Sequence, residues 1–255
     1  MEGKGEVSKP IASRFSRAHV WGGISLLLMS VLFFVLTVLS IALTDSTSAL
    51  SPLQPITGSG LQSLAQHAQL ARVTFGVGIV SDLVLLPGIL GLYESLKRLN
   101  RDAMLVAAVF LGMYALMDLL VTGMNVVALV SVAQSYATSP SGPSAPSFGV
   151  AVYIHSVISV SLPLSSAMMS VGILLVGWTV RYGPFGSFVR YLSYFTAAVG
   201  LLYGLSAIVP GLTGFIILSA LSELVWFAVM GWKLIRSGPL LLGPEHALAT
   251  VGDEV

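Results

Sequence analysis

The feature that most constrains this sequence is the spacing of its charged residues, which leaves six long apolar stretches between them. Only 9% of the residues are Asp, Glu, Lys or Arg, whereas a soluble domain carries roughly 25%. A chain this apolar cannot cover a water-exposed surface with polar groups. Because a helix crosses a bilayer with about 20 apolar residues, each stretch is long enough to span one. The sequence therefore predicts an all-α, polytopic six-helix transmembrane bundle.

The predicted spans are helices, because backbone amides in lipid must form their hydrogen bonds within the chain. Spans 1 to 6 are predicted over residues 20–43, 73–96, 103–130, 149–178, 191–209 and 212–232. The membrane domain as a whole is predicted over 20–236. A basic cytoplasmic amino-terminal segment (1–19) precedes it, and a flexible cytoplasmic tail (237–255) follows it.

The basic residues predict how the bundle is oriented. Eleven of the 12 Lys and Arg residues fall on one side of the predicted membrane: Lys4, Lys9, Arg14, Arg17, Lys97, Arg98, Arg101, Arg181, Arg190, Lys233 and Arg236. Only Arg72 falls on the other side. The positive-inside rule therefore predicts that both termini are cytoplasmic. We expect a multi-pass protein of the cytoplasmic (cell) membrane, with the lipid bilayer as its surroundings.

Two segments carry small or apolar residues at helical spacing. In the connection between spans 1 and 2, apolar residues recur over 61–71 with the period of a helix. This segment is either an outward extension of span 2, which we favour, or an interfacial helix or lid over an outer cavity. On span 5, Gly200 and Gly204 form a small-residue face. That face either packs inside the bundle, which we favour, or mediates self-association.

Ionisable side chains inside a span are the candidates for function. Asp82, Asp118, His155 and Glu223 lie in spans 2, 3, 4 and 6. Each acid costs about 2.5–3.5 kcal/mol at the centre of a helix on insertion scales, so such residues usually face a bundle interior or a water-filled cavity. No Lys or Arg lies within a span to pair with them. The three carboxyls must therefore be protonated, hydrated or bound to a cation.

Helical phase and depth group these residues with other polar or aromatic side chains. At 100° per residue, Tyr114, Asp118 and Asn125 share a face of span 3, and Glu223 and Trp226 share a face of span 6. The ionisable residues all lie between the middle and the outer side of the membrane. The simplest arrangement is one outward-facing acidic cavity, whose candidate ligand-binding residues are Asp82, Asp118, Asn125, His155, Glu223, Tyr114 and Trp226.

Structural roles compete with this interpretation. A single histidine within a membrane span is more commonly a hydrogen-bond donor in packing, and Asp118 can bond Asn125 or a neighbouring helix. The sequence identifies no catalytic residue and leaves any cofactor or metal unknown. One histidine in the spans and no cysteine make a poor zinc site, because zinc favours nitrogen and sulfur ligands.

At these residues the chain resembles a large, uncharacterised prokaryotic family of six-span integral membrane proteins, known only as a domain of unknown function. The resemblance extends from span 1 to Arg236. It is strongest over 91–100 (GLYESLKRLN), where the family is similar in its tyrosine, its Leu-Lys-basic run and its asparagine.

The resemblance also includes the intramembrane acids. Asp82 and Asp118 match acids in spans 2 and 3 of the family, and Glu223 matches the acid of an Asn-Glu-hydrophobe string near its end. Family members often carry an arginine one turn before the span-3 acid, where this chain has Ala115. An ion pair that neutralises the acid elsewhere is therefore missing. The resemblance implies a fold and no activity.

Three functions remain open at this stage. The first is binding or transport of a small cation, amine or proton-coupled solute in the acidic cavity. The second is an accessory or structural role in a larger membrane complex, with the acids bonded to helices of other subunits. The third is a metal-dependent intramembrane hydrolase, although an enzyme is the least favoured class. A net charge of +1 without a basic stripe excludes nucleic acid as a partner.

Overall fold

A computed structural model describes residues 18–46, 54–139 and 145–241. Over these ranges the chain forms helices joined by short turns, and no strand occurs in them. The all-α prediction is confirmed. Six helices of the described chain are long and apolar enough to cross a membrane, as an integral membrane protein requires. Most of the predicted amino-terminal segment (1–17) and of the tail (242–255) lies outside the described residues.

The helices follow the predicted spans; those of spans 1 to 4 extend beyond the predicted bounds, whereas the helix of span 5 ends before residue 209. They are α1 (Ala18–Ser46), α2 (Gly58–Gln66), α3 (Ala68–Leu96), α4 (Arg101–Met117), α5 (Met124–Thr138), α6 (Ala145–Val180), α7 (Gly186–Gly204) and α8 (Phe215–Leu241). Span 1 is α1, span 2 is α3, and spans 4, 5 and 6 are α6, α7 and α8. Span 3 consists of α4 and α5, which a π-helical turn (Asp118–Gly123) joins. Span 6 begins later than predicted because Pro210–Leu212 forms a separate 3₁₀ turn.

Each span packs against the next one in sequence, and span 1 also packs against span 6, so that the bundle closes into a ring. The largest apolar core includes Leu26, Leu92, Met104, Trp226 and Phe227, all of them nearly or fully buried. A smaller core at the other end of the bundle contains Leu43, Leu61 and Leu129.

Two consecutive glycines hold span 1 against both of its neighbours. A Cβ atom on Gly22 would lie 2.5 Å from the Cα of Gly91 in span 2. A Cβ atom on Gly231 in span 6 would lie 2.7 Å from the carbonyl oxygen of Gly23. The three backbones therefore pack directly against one another, as small residues allow in membrane helices. Ser30 reinforces the second contact, because its hydroxyl donates to the carbonyl of Leu224 in span 6 at 3.1 Å.

The described basic residues collect at one end of the bundle, as the orientation argument requires. The loop between spans 2 and 3 meets the loop between spans 4 and 5 there, because a Cβ atom on Gly183 would lie 2.7 Å from the side chain of Leu99. This basic end carries Lys97, Arg98, Arg101, Arg181, Arg190, Lys233 and Arg236. Arg72 lies at the opposite end and donates to Gln134 at 2.9 Å. The assignment of the basic end to the cytoplasm stays a prediction.

The segment after span 1 is helical, as its periodicity predicts, but it is not part of span 2. It forms a separate helix, α2, which Thr57 caps by accepting a hydrogen bond from the amide of Gly60. The chain then turns at His67, so that α2 is not a continuous extension of span 2. Leu61 and Leu64 are fully buried in the core at the opposite end. Gln66 is exposed and His67 is half-buried, and the interpretation as an interfacial helix or lid stays a prediction.

Gly200 and Gly204 both face span 4 within the chain. A Cβ atom on Gly204 would lie 2.6 Å from the Cβ of Ala167, and one on Gly200 would clash with Ser170. The favoured interpretation, internal packing, accounts for both glycines. Self-association and assembly with other membrane subunits stay predictions, and a dimer through this face would have to displace span 4.

The orientation leads to a topology prediction. A reporter fused after Ser141 should report an external location, and one fused after Arg98 a cytoplasmic location, because seven of the eight described Lys and Arg residues lie at the basic end. Alkaline phosphatase and green fluorescent protein fusions measure this directly. The reverse pattern would contradict the predicted orientation of the bundle.

The glycine contact leads to a stability prediction. Gly91→Ala should destabilise the bundle by about 1–3 kcal/mol, because its Cβ would meet the backbone of span 1 and force the helices apart. Gly76→Ala in the same helix is the matched control, since a Cβ there meets nothing within 4 Å. Thermal unfolding of the purified variants in detergent compares them. Equal melting temperatures would show that the contact between spans 1 and 2 is not tight.

Candidate functional site

A cavity of about 190 Å³ lies between spans 1, 2, 3 and 4, in the half of the bundle away from the basic end. Most of its wall is apolar, and two carboxyls, those of Asp82 and Asp118, belong to the wall. None of its lining residues is a Lys, Arg or His. The cavity therefore combines an apolar enclosure with two acidic groups and no basic counter-charge of its own.

Helical periodicity explains how two spans contribute to this wall. Span 2 lines the cavity with Thr74, Gly78 and Asp82, which recur every four residues and therefore lie on one face of α3. Span 1 contributes Leu36 and Ser40 with the same spacing. Gly78 leaves room between the two helices, because a Cβ atom there would meet only the end of Leu36, at 3.9 Å.

Asp82 has the surroundings of a ligand-binding group. Its side chain is 4% exposed, and it lines the cavity from span 2. Within the described part of the chain, no hydrogen-bond donor contacts its carboxyl. Asp118 lies close enough to interact with it electrostatically. A buried carboxyl in this position needs a proton, water or a cation.

Asp118 lies at the start of the π-helical turn that joins α4 and α5. Single π-helical turns inside α-helices occur frequently at functional sites, because the wider turn disturbs the regular hydrogen-bond ladder. Asp118, Leu119 and Gly123 line the cavity from this turn. The Asn125 amide donates to the carbonyl of Val121 within the turn. Asn125 thus stabilises the turn and is not among the residues that line the cavity.

Glu223 lies outside this cavity, in a separate polar cluster between spans 4 and 6. Its side chain is 4% exposed. The carboxyl oxygen Oε1 accepts hydrogen bonds from the Ser219 hydroxyl at 2.7 Å and from the Ser166 hydroxyl at 3.4 Å. The structure therefore divides the three predicted acids, with Asp82 and Asp118 in the cavity and Glu223 among hydroxyl groups.

Tyr114 lies between the two groups of acids. It is 6% exposed and is close enough to Asp82, Asp118 and Glu223 to interact electrostatically with each of them. Glu223 and Asp118 are also within electrostatic range of each other. The three carboxyls are thus neighbours in one region of the bundle, although only two of them share the cavity.

His155 and Trp226 are not among the residues that line the cavity. His155 is half-buried on span 4, and its backbone carbonyl accepts a hydrogen bond from the Ser159 hydroxyl at 2.9 Å. Trp226 is fully buried and donates from its indole nitrogen to the Ser193 hydroxyl at 2.8 Å. Its ring packs edge-on against Phe227, with centroids 5.3 Å apart. Trp226 therefore connects spans 5 and 6 within the core.

Sequence reasoning missed two parts of this region. Span 1 has no ionisable residue between His19 and Asp45, yet it forms one wall of the cavity through Ser40 and Thr44. Tyr203 of span 5 is 5% exposed and lies within electrostatic range of Glu223 and Asp118. In the sequence, only its place in an apolar run beside Gly204 indicates that Tyr203 lies inside the bundle.

The described residues contain no group of three His, Asp or Glu side chains close enough to hold a metal ion. In that part of the chain, the metal-dependent hydrolase therefore has no ligand set.

No family model, no curated protein and no solved structure matches this chain. The family resemblance based on residues 91–100 and the intramembrane acids therefore stays a prediction.

The difference between the two acidic environments leads to a stability prediction. Asp82→Asn should leave the melting temperature unchanged or raise it, because it removes repulsion with Asp118 and breaks no hydrogen bond. Ser219→Ala should cost about 1–3 kcal/mol, since it removes a donor from a buried carboxyl. Differential scanning fluorimetry in detergent compares the two. A marked loss of stability in Asp82→Asn would show that a group of the protein binds this carboxylate.

Proposed function

We propose that this membrane protein binds a small cation or a protonated amine in the cavity between spans 1 and 4, with Asp82 and Asp118 as the ligand-binding residues. One observation is the basis of the proposal: two carboxyls line an otherwise mostly apolar cavity that contains no basic side chain. A positive ligand would neutralise these groups, and apolar walls strengthen its attraction to them.

The size of the cavity favours a small ligand. Pockets for drug-sized molecules have volumes of about 300–1,000 Å³, and this cavity measures about 190 Å³. That space suits an alkali cation with part of its hydration shell, or an amine of a few non-hydrogen atoms. If the basic end is cytoplasmic, the ligand enters from the outer side of the membrane.

Comparison of ligand binding between charge-neutralised variants tests this function. Purified protein in nanodiscs is titrated with sodium, potassium and methylammonium chlorides by isothermal calorimetry. Asp82→Asn and Asp118→Asn should each weaken binding of the preferred cation by at least about tenfold, because each removes one of the two negative charges that attract it in an apolar site. Asp102→Asn is the control, since Asp102 lies at the start of α4, at the basic end.

Two results would contradict the proposal. Binding that is unaffected by both cavity variants would place the cation elsewhere. If the wild-type protein binds none of the three cations and instead purifies as a stable hetero-complex, the accessory-subunit alternative would be favoured.

A second prediction concerns a variant that fills the cavity without changing Asp82 or Asp118. Gly78→Leu should abolish cation binding, because its side chain would occupy the cavity beside Leu36. Gly76→Leu is the matched control: Gly76 is exposed, two residues away on the same helix, and a Cβ there meets nothing within 4 Å. The same calorimetric titration measures both variants. Equal affinities for the two variants would show that the cation does not enter this cavity.

A further inference from the structure

The Glu223 cluster has no role in the cation site as proposed, yet all of its side chains are buried in the bundle. Ser166 and Ser219 donate to the same carboxyl oxygen, and all three side chains are at most 7% exposed. The sequence predicted that Glu223 would belong to the cavity. Its placement among hydroxyl groups gives it different chemistry.

A second observation concerns a polar group near this cluster that lacks a hydrogen-bond partner. The Tyr203 hydroxyl is buried and has no hydrogen-bond partner among the described residues. Tyr203 lies within electrostatic range of Glu223. Buried hydroxyls almost always have a partner, and an exception indicates a water molecule or an ion that the protein atoms do not supply. The Tyr203 hydroxyl is therefore an unsatisfied polar group close to Glu223 inside the bundle.

The groups that face Glu223 include no positive charge in the described chain. Asp118 and Tyr114 lie near it from span 3, and Tyr203 lies near it from span 5. Span 4 contributes the Ser166 hydroxyl, and span 1 contributes Ser30, which bonds to the backbone of span 6. On span 2, Asp82 lies within electrostatic range of Tyr114, as Glu223 does. Without a counter-ion, an ionised Glu223 would be costly at this depth.

We propose that Glu223 is a separate proton-binding site, and that a cation bound between Asp82 and Asp118 releases the Glu223 proton. The second half of this inference rests on the proposed function. In the release step, the carboxyl O–H bond of Glu223 breaks, the proton passes to water, and the electron pair stays on the carboxylate. The bound cation neutralises the negative charge at Asp118, which otherwise opposes ionisation of Glu223. The protein would thus exchange one cation for one proton.

Proton release measured alongside cation binding tests the coupling. Weakly buffered protein at neutral pH is titrated with the preferred cation from the calorimetric series, and a pH indicator reports released protons. The wild-type protein should release up to one proton per bound cation. Glu223→Gln should release at least about fivefold fewer protons and bind the cation more weakly than wild type, because the coupling between the two sites is reciprocal and Gln has no proton to lose. Glu94→Gln is the matched control, because Glu94 pairs with Lys97 at the basic end.

Infrared spectroscopy tests the proton site without any ligand. Wild-type protein should show a protonated-carboxyl band at neutral pH that Glu223→Gln removes. Ser219→Ala should move this band to higher frequency, because the carboxyl oxygen loses its 2.7 Å hydrogen bond. This second variant identifies the band even if Glu223→Gln does not fold.

The outcomes separate the two proposals. If the cation binds but wild type and Glu223→Gln release equal numbers of protons, the coupling is wrong and the cation site stands. If no cation binds but the infrared band is present and moves as expected, the function is wrong and the proton site stands. If the band is absent, Glu223 is not a proton-binding site.

Discussion

The close contact of three helix backbones at Gly22, Gly23, Gly91 and Gly231 is the constraint on which the rest of this bundle depends. In lipid, apolar side chains gain little from leaving one hydrocarbon environment for another, so the packing of small residues holds helices together. Here that packing fixes span 1 between spans 2 and 6 in the half near the basic end. The tight apolar core lies largely in the same half. The other half is free to hold a cavity.

The bundle accommodates its buried acids in two ways. Glu223 receives hydrogen bonds from two serine hydroxyls, so part of its desolvation cost is offset inside the protein. Asp82 has no such donor in the described chain and instead faces open space. This difference, which a list of intramembrane acids does not reveal, is the reason for assigning different ligands to the two sites.

The sequence predicted the six spans and the basic end well, because both depend on composition over long stretches. It also predicted that Asp82 and Asp118 share a cavity, since each lies on an inward face at similar depth. The separation of Glu223 was not predictable, because it depends on which helix faces meet. The sequence prediction placed Asp118 and Asn125 on one regular α-helix. The π-helical turn between them changes the angle between their side chains around the helix axis. The wall formed by span 1 has no ionisable residue that would have indicated it.

The division of span 1 into a packed half and a cavity-lining half affects how the protein can diverge. Leu36, Ser40 and Thr44 line the cavity from the half of the helix that lies away from the glycine contacts. Mutations at these positions can alter which ligand fits while the fold is retained. Mutations at Gly22 disturb the interface with span 2, and mutations at Gly23 disturb the interface with span 6. Selection can therefore change ligand preference along one end of a single helix, independently of the residues that assemble the bundle.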